Sequence, residues 1–146
     1  MLDDILTDEE LEVLTSIARD GTMIAGGGAG GASIIELHTS SASAGENFIS
    51  LFNRAKQGHE ETINGMEGIY SEYNMQKYRE VREKLMGVVA ETWGIDQSRL
   101  NLAAPTFFSR LTNKKAVTEN DQYWHKHVDT LQYRVFHYTG LIYSAF

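Results

Sequence analysis

Apolar side chains recur at helical spacing as far as Trp93, and after Pro105, the chain's single proline, the period shortens to that of a strand. A chain that changes period once, in that order, is expected to fold as α+β, with helices first and strands after. The side chains change with the period. Residues 1–106 hold 8 basic and 17 acidic groups, whereas 107–146 hold 5 and 3 together with 9 of the 15 aromatic residues. The sheet is therefore expected in the second part.

The first helix announces itself by its cap. In Thr7-Asp8-Glu9-Glu10 the threonine hydroxyl can accept the N–H three residues on while the Glu10 side chain reaches back, and the acidic first turn complements the helix dipole. Leu6 and Leu11 are spaced as a hydrophobic staple, and Leu11, Leu14, Ile17 and Ala18 continue the stripe, with Gly21 as the predicted stop. A second long helix is predicted over about residues 74–93, its apolar stripe being Tyr78, Val81, Leu85, Val88 and Val89, and Gly94 ends it. Tyr78 and Trp93 are expected in the core. Between the two, Phe48, Leu51, Phe52 and Ala55 predict a shorter amphipathic helix.

The run Gly26-Gly27-Gly28-Ala29-Gly30-Gly31 invites comparison with a phosphate-binding loop, whose bare backbone amides cradle an anion. That chemistry needs a lysine followed by Ser or Thr opening a helix, and Ala32-Ser33-Ile34 follows instead. A dinucleotide site would need alternating strands and helices around the run, and none is legible. The glycines read as a loop leading into a short strand, Ile34-Ile35-Glu36-Leu37.

Beyond Pro105, residues 106–111 read as a strand, 112–121 as a hairpin loop, and 123–129 and 136–143 as two further strands joined by a turn near 130–134. All three strands are predicted to share one sheet. The chemistry lies in Trp124-His125-Lys126-His127-Val128-Asp129. Side chains two apart on a strand share a face, so His-x-Asp offers an imidazole and a carboxylate to one ion, a donor set that suits iron(II) with open positions left on the metal. His125 shares the face, but four residues of strand separate it from Asp129 by roughly 13 Å, too far for one ion. Spacing alone leaves two pairs open, His127 with Asp129 or His125 with His127.

Taken together, Pro105-Thr-Phe-Phe-Ser-Arg110, Asp121-Gln-Tyr-Trp-His-Lys-His-Val-Asp129 and Phe136-His-Tyr-Thr-Gly-Leu-Ile-Tyr143 resemble the prolyl-hydroxylase-like iron(II)- and 2-oxoglutarate-dependent oxygenases. Within them the likeness is to the family called 2-oxoglutarate and iron-dependent oxygenase domain-containing protein 3. It extends upstream through Gly31-Ala-Ser-Ile-Ile-Glu-Leu-His38, Tyr78-Arg-Glu-Val-Arg82 and Trp93-Gly-Ile. The resemblance implies supporting helices over 1–100 followed, over 101–146, by the first strands of a double-stranded β-helix, a jelly-roll whose mouth holds iron. On that likeness His127 and Asp129 match the first two iron ligands, and His125 matches none. Tyr143 matches a strand tyrosine that contacts 2-oxoglutarate in related prolyl hydroxylases, and Thr139, four residues earlier on the same face, is expected to line the same pocket. The implied cofactors are Fe(II) and 2-oxoglutarate as co-substrate, with ascorbate as a candidate auxiliary. The implied reaction activates dioxygen, decarboxylates 2-oxoglutarate to succinate and hydroxylates a substrate C–H bond, the substrate being a protein or a small molecule.

Measured from Asp129, the sequence has 17 residues left, room for one turn and one strand. The family's distal histidine and the basic residue that pairs with the far carboxylate of 2-oxoglutarate lie several strands later. The expectation is therefore a truncated β-helix, inactive by itself, that leaves an apolar strand edge open. His137 is a poor substitute for the distal ligand, and His38 and His59 read as surface residues, as does Arg110. The competing reading is a non-catalytic interaction module with a vestigial metal motif. The remaining composition narrows the classes: the absence of cysteine excludes thiolate chemistry and disulfides, and the net charge of −7 gives no general attraction to nucleic acid. No apolar run reaches the roughly 20 residues of a membrane span, so the sequence as written reads as soluble. The resembled family, by contrast, is typically anchored by one amino-terminal membrane segment, and the compartment stays unassigned.

Overall fold

The computed structural model describes residues 4–24, 32–44, 47–102, 106–111, 113–117, 128 and 137–144. The capping box forms as expected: the Thr7 N–H donates to Glu10 Oε2 at 2.7 Å, and the Glu10 N–H donates to Thr7 Oγ1 at 3.2 Å. The helix it opens, α1, runs Asp8–Ile24. Replacing Thr7 by alanine removes half of this box and should cost about 1 kcal/mol, read as a lowered midpoint in urea denaturation with an unchanged slope.

Helix α1 does not stop at Gly21. It continues for nearly another turn, and its buried side carries Val13, Leu14, Ile17, Ala18, Gly21 and Ile24 at helical spacing. A Cβ on Gly21 would lie 2.3 Å from Ile35 Cδ1, so the glycine marks where α1 lies closest to the sheet. Close packing, not termination, explains the residue.

The sheet has four antiparallel strands, β1 (Ala32–Glu36), β2 (Ser41–Ala44), β3 (Asn47–Ser50) and β4 (Phe107–Leu111), in the order β3-β2-β1-β4. Strand β4 pairs with β1 along its whole length, from Phe107 opposite Glu36 to Leu111 opposite Ala32. Phe48 was expected on a helix and lies in β3, opposite Ser43. The ladder with β2 takes residues 47–50, and the Ser50 hydroxyl, accepting from the Asn53 N–H, starts helix α2 (Leu51–Lys56) only after it.

Helix α3 (Glu60–Ile69) follows, and α4 (Glu72–Trp93) is the predicted long helix, capped by Ser71 and ended by Gly94 at φ 63°, a left-handed position that glycine adopts without strain. A 3-10 turn, Gln97–Arg99, leads toward β4. Helix α1 packs on β1 and β4 and against α3 and α4. Ile17, Ile35, Leu51 and Ile69 are completely buried at the centre, each such side chain being worth roughly 1.5–3 kcal/mol. Tyr78 is buried as expected and its ring lies 6.2 Å from that of Phe108 on β4. Trp93 is 58% exposed, contrary to its expected place in the core, because the last turn of α4 runs past the packed region.

Of the three strands expected downstream of Pro105, the first is β4. Residues 123–127 and 129 lie outside the described residues. Residues 137–144 carry neither helix nor strand, which corrects the strand expected over 136–143. They lie instead beside the helices: the Tyr138 ring meets Trp93 in a tilted contact at 5.1 Å between centroids, and Ser144 Oγ is 3.2 Å from Thr15 Oγ1 on α1. The described residues thus form an α+β structure of four helices and a small antiparallel sheet, but not in the expected order of helices first and strands after: β1–β3 precede α2, and β4 joins them by pairing with β1. No helix among them is long and apolar enough to cross a membrane.

Candidate metal centre and the polar cluster at the start of β4

The two expected iron ligands, His127 and Asp129, lie outside the described residues, as does His125. Thr139 and Tyr143 are described: both are exposed, Tyr143 at 73%, on the irregular 137–144 segment. His137 is exposed on the same segment. His38 is exposed and its Nε2 lies 3.2 Å from Thr106 Oγ1, while His59 sits at the N-cap of α3 without a side-chain capping bond. Among the described residues no three His, Asp or Glu side chains come together in a group that could hold a metal ion.

What the structure does bring together is a polar cluster centred on a carboxylate that sequence reasoning passed over. Glu36 ends β1 and is only 4% exposed. Its Oε1 accepts from the His38 N–H at 2.9 Å and from the Thr106 N–H at 3.3 Å; its Oε2 accepts from the Thr39 N–H at 2.6 Å and from the Thr39 hydroxyl. Burial by itself would raise the Glu36 pKa, but the Thr39 hydroxyl and the three backbone amides outweigh it and hold the carboxyl below its ordinary value. The sequence did carry a signal. An acid inside the apolar run Ile34-Ile35-Glu36-Leu37, followed at once by His-Thr-Ser, marks a carboxylate placed to satisfy the amides of a tight turn.

Two tyrosines close the cluster. The Tyr70 hydroxyl donates to the Leu37 carbonyl at 2.9 Å and lies 2.8 Å from Ser40 Oγ, tying α3 to the same turn. Burial pushes its pKa up, partly offset by Ser40. Burial likewise pushes up the Tyr78 hydroxyl, over whose ring the Arg82 guanidinium lies at 5.7 Å.

A second set of ion pairs fastens α1 to α4. Lys84 Nζ reaches both oxygens of Glu10, at 2.6 and 2.7 Å, and Tyr73 and Lys77 meet Glu9 at 2.7 and 3.4 Å. An open cavity of about 330 Å³ is lined by Arg54, Gly58, His59, Glu60, Glu61 and Thr62 at the start of α3. Its charges are mixed. Nothing in this described part of the molecule is arranged for acid–base or nucleophilic catalysis: both Glu36 oxygens are committed to hydrogen bonds, and Glu10 is committed to Lys84.

No family model matches the chain, and no solved structure matches it. It is similar to a human protein named 2-oxoglutarate and iron-dependent oxygenase domain-containing protein 3, with 41% identity over 143 residues. That match takes in 98% of this chain and 42% of the human protein. The mouse protein of the same name is 40% identical and that of Xenopus tropicalis 36%, each over 98% of this chain and 43% of its own length. The chain therefore spans less than half the length of the curated relatives it matches.

Proposed function

From a chain homologous along 98% of its length to the 2-oxoglutarate and iron-dependent oxygenase domain-containing protein 3 family, we propose part of an iron(II)- and 2-oxoglutarate-dependent hydroxylase. Residues 1–100, holding the four helices and strands β1–β3, are its support and 101–146 the beginning of a double-stranded β-helix. The observation that carries the reading is that likeness, joined to a His-x-Asp motif at 127 and 129 in a β-prone, aromatic stretch. The donor set fits the ion: a neutral imidazole and a hard carboxylate oxygen suit iron(II), and two protein ligands leave positions for a third ligand and for co-substrate. His127 and Asp129 would hold the metal. The third ligand and the basic anchor for 2-oxoglutarate would come from residues beyond these 146.

Bound iron and 2-oxoglutarate supply the activation of dioxygen and, with decarboxylation of the co-substrate, the hydroxylation of a C–H bond. The chain's own part is to hold and orient. Tyr143 is proposed to donate its phenolic O–H to a co-substrate carboxylate, with Thr139 lining the same pocket. Ascorbate is a candidate auxiliary, and the substrate is a protein or a small molecule. By itself the 146-residue polypeptide is proposed to be inactive, since two ligands hold iron(II) weakly.

Anaerobic calorimetric titration with Fe(II) tests this. Weak binding to the 146-residue chain is expected, falling by about tenfold or more in His127→Ala and in Asp129→Ala, with no succinate formed from 2-oxoglutarate. Turnover by the chain alone would overturn its proposed inactivity. Binding that is absent altogether, or indifferent to both substitutions, would overturn the metal site and favour a non-catalytic interaction module.

A further inference from the structure

We infer that residues 138–144 are a self-association surface: the segment pairs antiparallel with the same segment of a second copy of this chain, with Leu141 on the two-fold axis. The inference stands apart from the iron reading, and a failure of metal binding would leave it untouched.

The segment carries no regular structure, yet its side chains follow the period of a strand. Tyr138 and Ile142 are 43% and 40% exposed, whereas Leu141 and Tyr143 are 71% and 73% exposed. No residue of 137–144 has a positive φ, Gly140 included, so nothing in the backbone bars an extended strand. The less exposed side is held to the molecule at its two ends, by Tyr138 against Trp93 and by Ser144 near Thr15. Between these anchors a Cβ on Gly140 would meet nothing within 4 Å, so the middle of the segment has open space beside it.

The composition favours pairing. Residues 135–144 hold no Asp, Glu, Lys, Arg or Pro, the residues with which sheet edges are ordinarily protected from other chains. Together with Trp93, the exposed parts of Tyr138, Leu141, Ile142 and Tyr143 make an apolar patch of roughly 500 Å², the size at which a patch on a monomer marks an interaction site.

Two features select a second copy as the occupant. The chain has a net charge of −7, so copies repel over most of their surface and meet most closely where charge is missing, as it is over 135–144. Self-pairing also matches the side chains. A two-fold axis through an antiparallel pair sets residues of like parity opposite each other. With Leu141 opposite itself, Tyr143 lies opposite Thr139, an aromatic against a β-branched residue, and Gly140 lies opposite Ile142. Two such patches bury about 1,000 Å² at most, the lower limit for specific association, so the dimer is weak and reversible. Pairing sets Tyr143 against the second copy, which makes the dimer and the co-substrate contact proposed for that residue alternatives.

The test uses the whole 146-residue chain. Sedimentation velocity over rising concentration is expected to show a reversible monomer–dimer equilibrium. Leu141→Asp, which puts two carboxylates on the axis, is expected to weaken the dimer by about tenfold or more. Phe52→Asp, at an exposed apolar position on α2, is expected to leave it unchanged. Because the chain has no cysteine, a second measurement works without adding charge. Leu141→Cys is expected to form a disulfide-linked dimer in air about tenfold faster than Met23→Cys, at a comparably exposed position, because facing residues bring their Cβ atoms within bonding reach. A monomer at every concentration would overturn the inference, and so would an equal loss in Phe52→Asp, which would place the contact elsewhere. Growth beyond a dimer would overturn the closed two-fold pairing. Equal rates of cross-linking in the two cysteine variants would overturn the register.

Discussion

Gly21→Ala should destabilise the protein by about 1–3 kcal/mol, and Ile35→Val in the same chain should recover part of that loss even though Ile35→Val alone costs about 0.5–1.5 kcal/mol. The expectation runs against helix propensity, by which alanine would be favoured over glycine in the interior of α1 by about 1 kcal/mol. Packing decides the sign. The added methyl group would lie 2.3 Å from Ile35 Cδ1 and 3.1 Å from its Cγ2, and Ile35 is completely buried, so the side chain has nowhere to retreat. Valine at 35 removes Cδ1, the nearest of these atoms, and leaves the rest of the strand side chain in place. A double-mutant cycle in urea reads the coupling directly: strong favourable non-additivity is expected, and additive effects would mean that α1 does not lie on β1 as closely as described. Gly65 on α3 makes an equivalent approach, its missing Cβ 2.4 Å from Ile24 Cγ2, so the last turn of α1 packs closely through a glycine on two sides, against the sheet and against α3.

These two glycines also show where the sequence was legible and where it was not. The capping box at Thr7 and Glu10, the long α4 with Gly94 at its end, and strands β1 and β4 could all be read, because each depends on local chemistry: a hydroxyl three residues before a carboxylate, an apolar stripe, a left-handed stop, a β-branched or aromatic run. Gly21 was read as a stop because a glycine required for helix termination and one required for close approach are the same letter, and only the partner across the interface separates them. Helix α3 was missed for a related reason. Its Gly65 and Gly68 lower local propensity, and its buried positions Thr62 and Ile69 make a thin stripe. Strand β2, Ser41-Ala-Ser-Ala44, has no β-branched or aromatic residue and is a strand because the flanking ladders make it one. The candidate site divides in the same way. His127 and Asp129 were readable as a donor pair from residue type and spacing, whereas Glu36, which touches Thr106 across 70 positions of sequence, could be found only once the turn and the strand had been brought together.

Acid should unfold this protein largely through two carboxylates, and substituting either should flatten its pH profile. Lys84 and the amide of Thr7 hold the Glu10 pKa below its ordinary 4.5, and at Glu36 the Thr39 hydroxyl and three amides overcome burial to do the same. In both cases the folded state binds its proton less readily than the unfolded chain. The stabilisation is therefore fully present above the unfolded value near 4.5 and is lost as pH falls through the lower, folded value. Around Glu36 the other titratable neighbours are His38, Tyr70 and Tyr78, and the tyrosines stay neutral across this range. Glu36→Gln should lose about 2 kcal/mol or more at neutral pH, since hydrogen bonds to a charged acceptor become poorer or unmade in a buried place. Its stability should then vary less between pH 6 and pH 3 than that of the unsubstituted chain, by about the amount it has already lost. Glu10→Gln should do the same to a smaller degree, because Lys84 is a third exposed and its charge is better screened. Urea midpoints measured at half-unit steps of pH would separate the two, and a Glu36→Gln profile parallel to that of the unsubstituted chain would show that the carboxylate is not held ionised by the amides around it.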